Sequence, residues 1–253
     1  MIGLYFSGTG NTRYILERFC EQYEKGTSHY SIEDENAVSA VENEELIVFA
    51  YPVQYSTVPK IVRDYVGNHG GLWKDKKIFV IATMGLFSGD GAGSLGRELK
   101  KYGATIVGGL HIKMPDSIGD VKLLKKPIEK NRETVRIAEA KVDTAARLLK
   151  EGHPKKEGLG LPAHLAGLFG QRLYYGHKTK EYSDQLKINS KKCIGCGKCR
   201  DLCPMKNITI NNGKAEQHCH CTMCYRCINN CPEQAITLLG KEIVEQSVIE
   251  KYI

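Results

Sequence analysis

Nine of the ten cysteines in this 253-residue chain lie between Cys193 and Cys231, and eight of them form a repeat. Cys193-x2-Cys196-x2-Cys199-x3-Cys203-Pro204 recurs 28 residues later as Cys221-x2-Cys224-x2-Cys227-x3-Cys231-Pro232, and Ile208-Thr209 recurs as Ile236-Thr237. A disulfide scaffold spreads its cysteines through its core. A dense block points instead to metal, the more so in a chain that opens Met-Ile-Gly-Leu-Tyr-Phe with no basic n-region or cleavage site. The longest nearly apolar run, residues 78–87, is half the ~20 residues a membrane-spanning helix requires. The expectation is a soluble, cytoplasmic protein.

The spacing is the one used for bacterial [4Fe–4S] ligation, in which the fourth cysteine of a run serves the other cluster. One cluster is therefore expected on Cys193, Cys196, Cys199 and Cys231, and the second on Cys221, Cys224, Cys227 and Cys203. Three cysteines three residues apart wrap a tight loop around one cube, and the proline after the fourth stops the chain continuing as before. Crossed ligands tie the halves together, which suits a module of roughly 55 residues, too small to be stable on its apolar core alone. Zinc prefers paired Cys-x2-Cys units closing one tetrahedron, and two runs of four cysteines fit that poorly. Between the runs, Ile208-Thr-Ile-Asn-Asn-Gly213 predicts a hairpin. His218, Cys219 and His220 read as bystanders to the second run. Cys20 reads as a small core residue.

Composition excludes disorder: 42% of residues are hydrophobic and 26% charged. The first half alternates short apolar runs with helical patterns. The runs are residues 2–6, 46–50, 78–82 and 105–110, with His29-Tyr-Ser-Ile32 as an edge candidate. Helices are predicted at 59–67, 94–102 and 128–150, besides one opening near Asn11. Strands apolar throughout belong to a parallel sheet covered on both faces, so the fold class is α/β, a doubly wound parallel sheet. The expected division is a first domain over 1–151, a basic connector over 152–186, a small α+β cysteine domain over 187–239, and a tail over 240–253. A short helix between the domains is expected within residues 159–169.

Directly after the first strand, Ser7-Gly8-Thr9-Gly10-Asn11-Thr12 opens a helix. Glycines let the backbone N–H groups turn inward, the hydroxyls add donors, and the helix N-terminus favours an anion. No lysine is present, so a nucleoside-triphosphate loop is disfavoured. Two further loops follow two further strands at the ligand-binding edge of such a sheet. One holds Pro52, Val53, Gln54 and Tyr55; the other holds Thr83, Met84, Gly85, Phe87, Ser88, Gly89, Asp90 and Gly91. Tyr55 and Phe87 are candidates to flank a planar ring. Gly91-Ala-Gly93-Ser-Leu-Gly96, with Asp116 twenty residues on, spells a dinucleotide fingerprint, but it starts well after its strand has ended.

On these residues the first half resembles the flavodoxin-like domains and the cysteine block resembles the two-cluster bacterial ferredoxins. Together they resemble the flavodoxin–ferredoxin fusion proteins of anaerobic microbes, over nearly the whole chain. The resemblance implies FMN, with its phosphate on Ser7, Thr9, Gly10, Asn11 and Thr12 and its ring between the other two loops. It implies two [4Fe–4S] clusters and an electron-transfer role. An FMN-dependent reductase of an organic substrate, fed by the clusters, is the alternative; a metal-binding interaction module without redox work is the third reading. Trp73 falls outside the ring loops and reads as structural, so the usual ring-stacking tryptophan is absent. The formal net charge of +7 invites a nucleic-acid reading. Two clusters and a flavin phosphate would bring about −6, which leaves the holoprotein near neutral and removes that argument. The basic residues of 152–200 are suited to an acidic redox partner protein.

Overall fold

The computed structural model describes residues 1–169, 173 and 184–253. Its first half holds a five-stranded sheet of β1 (Ile2–Tyr5), β2 (His29–Ser31), β3 (Leu46–Pro52), β4 (Lys77–Met84) and β5 (Thr105–Lys113). The order is β2-β1-β3-β4-β5, and all pairings are parallel. This is the flavodoxin-like order, whose winding reverses between β1 and β3 and leaves a crevice at their carboxyl ends. The four apolar runs of the sequence are β1, β3, β4 and β5, and the edge candidate is β2.

Helices α1 (Asn11–Tyr23), α2 (Ala37–Glu42), α3 (Lys60–Asn68), α4 (Gly91–Lys100) and α5 (Ile128–Lys150) cover the sheet. Successive strand side chains point to opposite faces. Leu4, Phe49, Tyr51, Ile78 and Val80 pack with Val62, Val66, Leu95 and Leu99 in one core. Val48, Ala50, Phe79 and Ile81 pack with Leu16, Phe19, Val142 and Ala146 in the other. The six-residue α2 was not anticipated, because it is too short to display a helical period. Trp73 is fully buried, stacks on Phe49 and donates from Nε1 to the Val66 carbonyl at 2.9 Å, a structural role. Cys20 is a core residue whose thiol burial pushes up to about 12.

The GxGxxG stretch serves packing. Residues 155–159 run along β5, with the Gly109 N–H donating to the Lys155 carbonyl at 2.8 Å and the Glu157 N–H to the Gly109 carbonyl at 2.9 Å. A Cβ on Gly93 would lie 2.4 Å from the Gly158 carbonyl oxygen, so only glycine lets α4 close on this segment. The short helix expected within 159–169 is α6 (Leu161–Gly167), and it lies against α4. Beyond residue 169 the expected connector, apart from residue 173 and residues 184–186, is outside the described residues.

The cysteine domain contains two small antiparallel sheets. In one, β6 (Lys187–Ile188) pairs with β9 (Ile236–Thr237); the other is the predicted hairpin of β7 (Ile208–Asn211) and β8 (Lys214–Gln217). Asn212 and Gly213 turn the hairpin with φ of 47° and 70°, the signature of its tight primed turn. The residues after 240 return to the first domain. Ile249 donates its N–H to the Thr9 carbonyl at 3.0 Å, and Ile249 and Tyr252 are buried in the core beside α1. No helix among the described residues is long and apolar enough to cross a membrane.

Candidate functional site

A cleft of about 540 Å³ opens at the carboxyl edge of the sheet, a size typical of ligand sites. Ser7, Gly8, Thr9, Asn11 and Thr12 form its floor, residues 52–55 one side and residues 83–87 another. Gly10, at φ 91°, caps α1 in the left-handed conformation, which turns the first-turn N–H groups toward the floor. Thr9 Oγ1 and Ser117 Oγ are 2.7 Å apart, Thr12 Oγ1 and Thr83 Oγ1 are 2.7 Å apart, and Asn11 Nδ2 donates to the Pro115 carbonyl at 2.8 Å. These bonds fix the loop. Ser7 Oγ and Asn11 Oδ1 are buried without a partner among the described residues. A buried hydroxyl left unpaired is costly, and a phosphate oxygen against the loop would satisfy that of Ser7.

The eight cysteines of the repeat surround two cavities. Cys193, Cys196, Cys199 and Cys231 line the first; Cys203, Cys221, Cys224 and Cys227 line the second. The backbone follows the repeat. Gly195 and Gly197 have φ of 70° and 79°, and their counterparts Met223 and Tyr225 have 55° and 60°. Four sulfurs accept backbone N–H groups: Cys193 from Ala215, Cys203 from Asn207, Cys221 from Met223 and Cys231 from Ala235, at 3.3–3.4 Å. Among the described residues no three His, Cys, Asp or Glu groups gather tightly enough for a single ion. Thiols ringing a cavity, rather than meeting at one point, fit a cluster better than a lone tetrahedral zinc with its ~2.3 Å bonds. Burial pushes the Cys221 thiol up to about 12 and the Cys224 thiol to about 11, so a cationic core is what would hold them as thiolates.

The flavodoxin domain family model matches residues 2–105 and the 4Fe-4S dicluster domain model residues 185–232. An uncharacterized ferredoxin of Methanocaldococcus jannaschii is 36% identical over 59 residues, which are 21% of this chain and 77% of that protein. Ferredoxin-2 of Desulfomicrobium norvegicum is 54% identical over 28 residues, 11% of this chain, and the match spans only about half of that ferredoxin, 48%. The chain is a flavodoxin–ferredoxin fusion. Similar solved structures include two-electron reduced Megasphaera elsdenii flavodoxin, at 21% identity over 56% of this chain and 98% of that one, with a TM-score of 0.41. Another is the Trp repressor binding protein of Bacillus subtilis, at 15% identity over 59% of this chain and 97% of that one, with a TM-score of 0.42. A flavodoxin domain joined to a 4Fe-4S dicluster domain indicates electron transfer, and the two domains imply a flavin and [4Fe–4S] clusters.

The ferredoxin domain of the fusion supplies a wall of the flavodoxin cleft. Met223, Cys224 and Tyr225 line it, and Cys224 and Tyr225 line the second cysteine cavity as well. Gln54 Nε2 donates to the Thr222 and Met223 carbonyls at 2.7 and 3.1 Å. Asp120 is buried and fastens the two domains: its Oδ2 accepts the N–H groups of Leu238, Leu239 and Gly240 at 2.7–3.0 Å, and its Oδ1 accepts the Tyr225 hydroxyl at 3.1 Å. Burial, with the Asp120 carboxylate beside it, drives the Tyr225 phenol far above its ordinary range.

Not every residue expected in the cleft lines it. Ser88, Gly89, Asp90 and Gly91 are turned into the protein. Ser88 Oγ lies 2.9 Å from His111 Nδ1, and Asp90 is fully buried with Oδ2 bonded to Arg97 at 2.6 Å and His164 at 2.9 Å. Gly91 begins α4, and its carbonyl accepts the Tyr51 hydroxyl at 2.5 Å. Gly10 shapes the loop from beneath, packed on Ile249. Conversely, Met114, Pro115, Asp116, Ser117 and Ile118, after β5, line the cleft and were not anticipated. Asp116 stands over the loop after β4, its Oδ2 2.2 Å from where a Cβ on Gly85 would begin, and burial raises its carboxyl above the usual range. The strand-edge rule applies to β5 as it does to β3 and β4, and was the available signal. His218, Cys219 and His220 take no part in either cavity wall.

Proposed function

We propose that the fusion passes single electrons between two [4Fe–4S] clusters and FMN. The observation that carries this is contiguity: one stretch, residues 224–225, lines both the second cysteine cavity and the cleft. Ser7, Thr9, Asn11 and Thr12, with the first turn of α1, would hold the FMN phosphate. Residues 52–55 and 83–87 would hold its ring, with Tyr55 and Phe87 at its sides. Cys193, Cys196, Cys199 and Cys231 would ligate one cluster, and Cys203, Cys221, Cys224 and Cys227 the cluster beside the cleft. Bound FMN exchanges one or two electrons and each cluster one, so the assembly would convert between the two kinds of carrier. The chain supplies a fixed spacing between the groups.

The first cysteine cavity opens to solvent, where Cys196 is exposed and Ile194 is 62% exposed. Lys187, Lys191, Lys192, Lys198 and Arg200 are exposed on the segment that carries it, where Asp201 pairs with Arg200, and Glu233 also lines the cavity. This basic rim supports the reading that an acidic redox-partner protein meets the fusion here.

Anaerobic purification with iron, sulfide and flavin analysis tests the proposal. About eight irons and one FMN per chain are expected. A colourless, zinc-loaded protein overturns it. Reduction of an organic acceptor with no carrier protein present would favour the substrate-reductase alternative.

A further inference from the structure

Arg226 lies between Cys224 and Cys227, and its guanidinium reaches out of the cysteine loop into the first domain. Nη1 and Nη2 donate to Glu33 Oε2 and Oε1 at 2.8 and 2.7 Å; Nη2 also donates to the Ser7 carbonyl at 2.7 Å, and Nη1 to the Leu202 carbonyl at 3.2 Å. The guanidinium carbon sits 5.8 Å over the Phe6 ring. The Arg226 side chain is only 18% exposed, and that of Glu33 28%. Salt screens such a pair weakly, and its forked geometry fixes direction as well as distance. In the first run the same position is Lys198, which is exposed to solvent. The two cavities therefore sit in unlike electrostatic surroundings. The pair therefore places a cation within the run that carries Cys224 and Cys227, with a carboxylate held against that cation from the first domain.

We infer that Arg226 and Glu33 form a positioning pair that fastens the second cysteine loop onto the phosphate loop and sets the reduction potential of the cluster beside the cleft. The inference rests on the cluster reading proposed above. A cluster becomes one charge more negative on reduction, so a nearby cation raises its potential and a nearby anion lowers it.

The test is a redox titration of the anaerobically purified full chain followed by low-temperature EPR, with iron and flavin content measured on the same samples. Arg226→Gln and Glu33→Gln break the same fork, so a purely mechanical clamp would shift the potential in the same direction in both. The pair acting by charge gives opposite signs. Arg226→Gln lowers the potential of one cluster signal, Glu33→Gln raises that of the same signal, and the other signal stays in place. Arg226→Lys keeps the charge but cannot form the fork. It leaves the potential near that of the unaltered protein while FMN binds less tightly, because the Ser7 carbonyl loses its donor. Shifts of one sign, or equal shifts in both clusters, overturn the inference. If Arg226→Gln fails to retain its cluster, Glu33→Gln and Arg226→Lys decide: a raised and an unchanged potential support it, and any other combination overturns it. An unaltered protein without iron refutes the cluster reading itself, a failure visible before any variant is made.

Discussion

The carbonyl oxygen of Cys224 occupies the space in which a side chain on Gly8 would begin: a Cβ there would lie 2.1 Å from it. A residue of the phosphate loop and a residue of the second cysteine loop, more than two hundred positions apart in the chain, are thus packed backbone against backbone. Gly8→Ala forces the loops apart at an overpacking cost of about 1–3 kcal/mol. Flavin affinity should fall roughly tenfold or more, while the first cysteine cavity keeps its iron. Flavin fluorescence titration with iron analysis checks this. Unchanged flavin affinity would mean that the contact yields freely.

Ser7→Ala removes a buried hydroxyl that has no partner among the described residues. Without flavin the variant should be at least as stable as the unaltered protein, since leaving such a group unpaired is what costs stability. With flavin it should lose one charge-assisted bond of about 1.5 kcal/mol, or about tenfold in affinity. Thermal melts with and without FMN separate the two effects. A variant destabilised equally in both states would argue against a phosphate at this hydroxyl.

Cys203 and Cys231 each face the cavity formed by the other run. Cys203→Ser should therefore lose the cluster held by Cys221, Cys224 and Cys227, and Cys231→Ser the one held by Cys193, Cys196 and Cys199. Each loss should leave about four irons and lower stability, as at other structural metal sites. Cys219→Ser should keep both clusters. Iron counts and EPR of the reduced variants are decisive. Loss of a cluster on removing Cys219, with both retained on removing Cys203, would reassign the ligands.

Burial holds the His111 imidazole below its ordinary value; Lys141 adds to the shift, while Glu157 and Asp90 oppose it. Its Nε2 accepts the Ala92 N–H at 3.2 Å, which requires the unprotonated nitrogen. In the unfolded chain the group titrates near ~6.5. Below that pH the unfolded state takes up a proton that the folded state refuses, so this contribution to stability is complete above it and is lost as pH falls. Melting temperatures at pH 8 and pH 5.5 should drop more steeply for the unaltered protein than for His111→Gln. Parallel slopes would contradict the assignment.

The sheet was legible because its inner strands β1, β3 and β4 are almost wholly apolar, a pattern that few other arrangements accommodate, whereas the edge strand β2, His29-Tyr-Ser31, carries no such signal. The cysteine runs were legible because their spacing is itself the geometry of the loop. Both signals are local. Residues 83–91 illustrate where local reading fails: residues 83–87 line the cleft, yet the bond of Ser88 to His111 and the burial of Asp90 against Arg97 and His164 turn the second half of the loop away from it. Nothing between positions 83 and 91 announces partners so far along the chain. Arg226 is a similar case, since between Cys224 and Cys227 it looks like an interchangeable surface cation until Glu33 and Ser7 are placed beside it. Tyr225 and Met223, non-glycine residues in the left-handed conformation where the first run has glycine, are visible only in the backbone.

The return of Ile249 and Tyr252 to the core beside α1 bears on the order in which this polypeptide folds as it leaves the ribosome. A nascent chain that has emerged as far as residue 151 contains every strand and covering helix of its first domain, yet the apolar surface that Ile249 and Tyr252 will cover is still open to solvent. The Thr9 carbonyl also waits for its donor, Ile249, which is translated well over two hundred residues later. What resembles a detachable module on paper is finished by residues that follow the cysteine runs. A fragment cut at the apparent boundary, or a fusion that pulls the last turn away, would take with it the fastening of the loop on which the cleft is built.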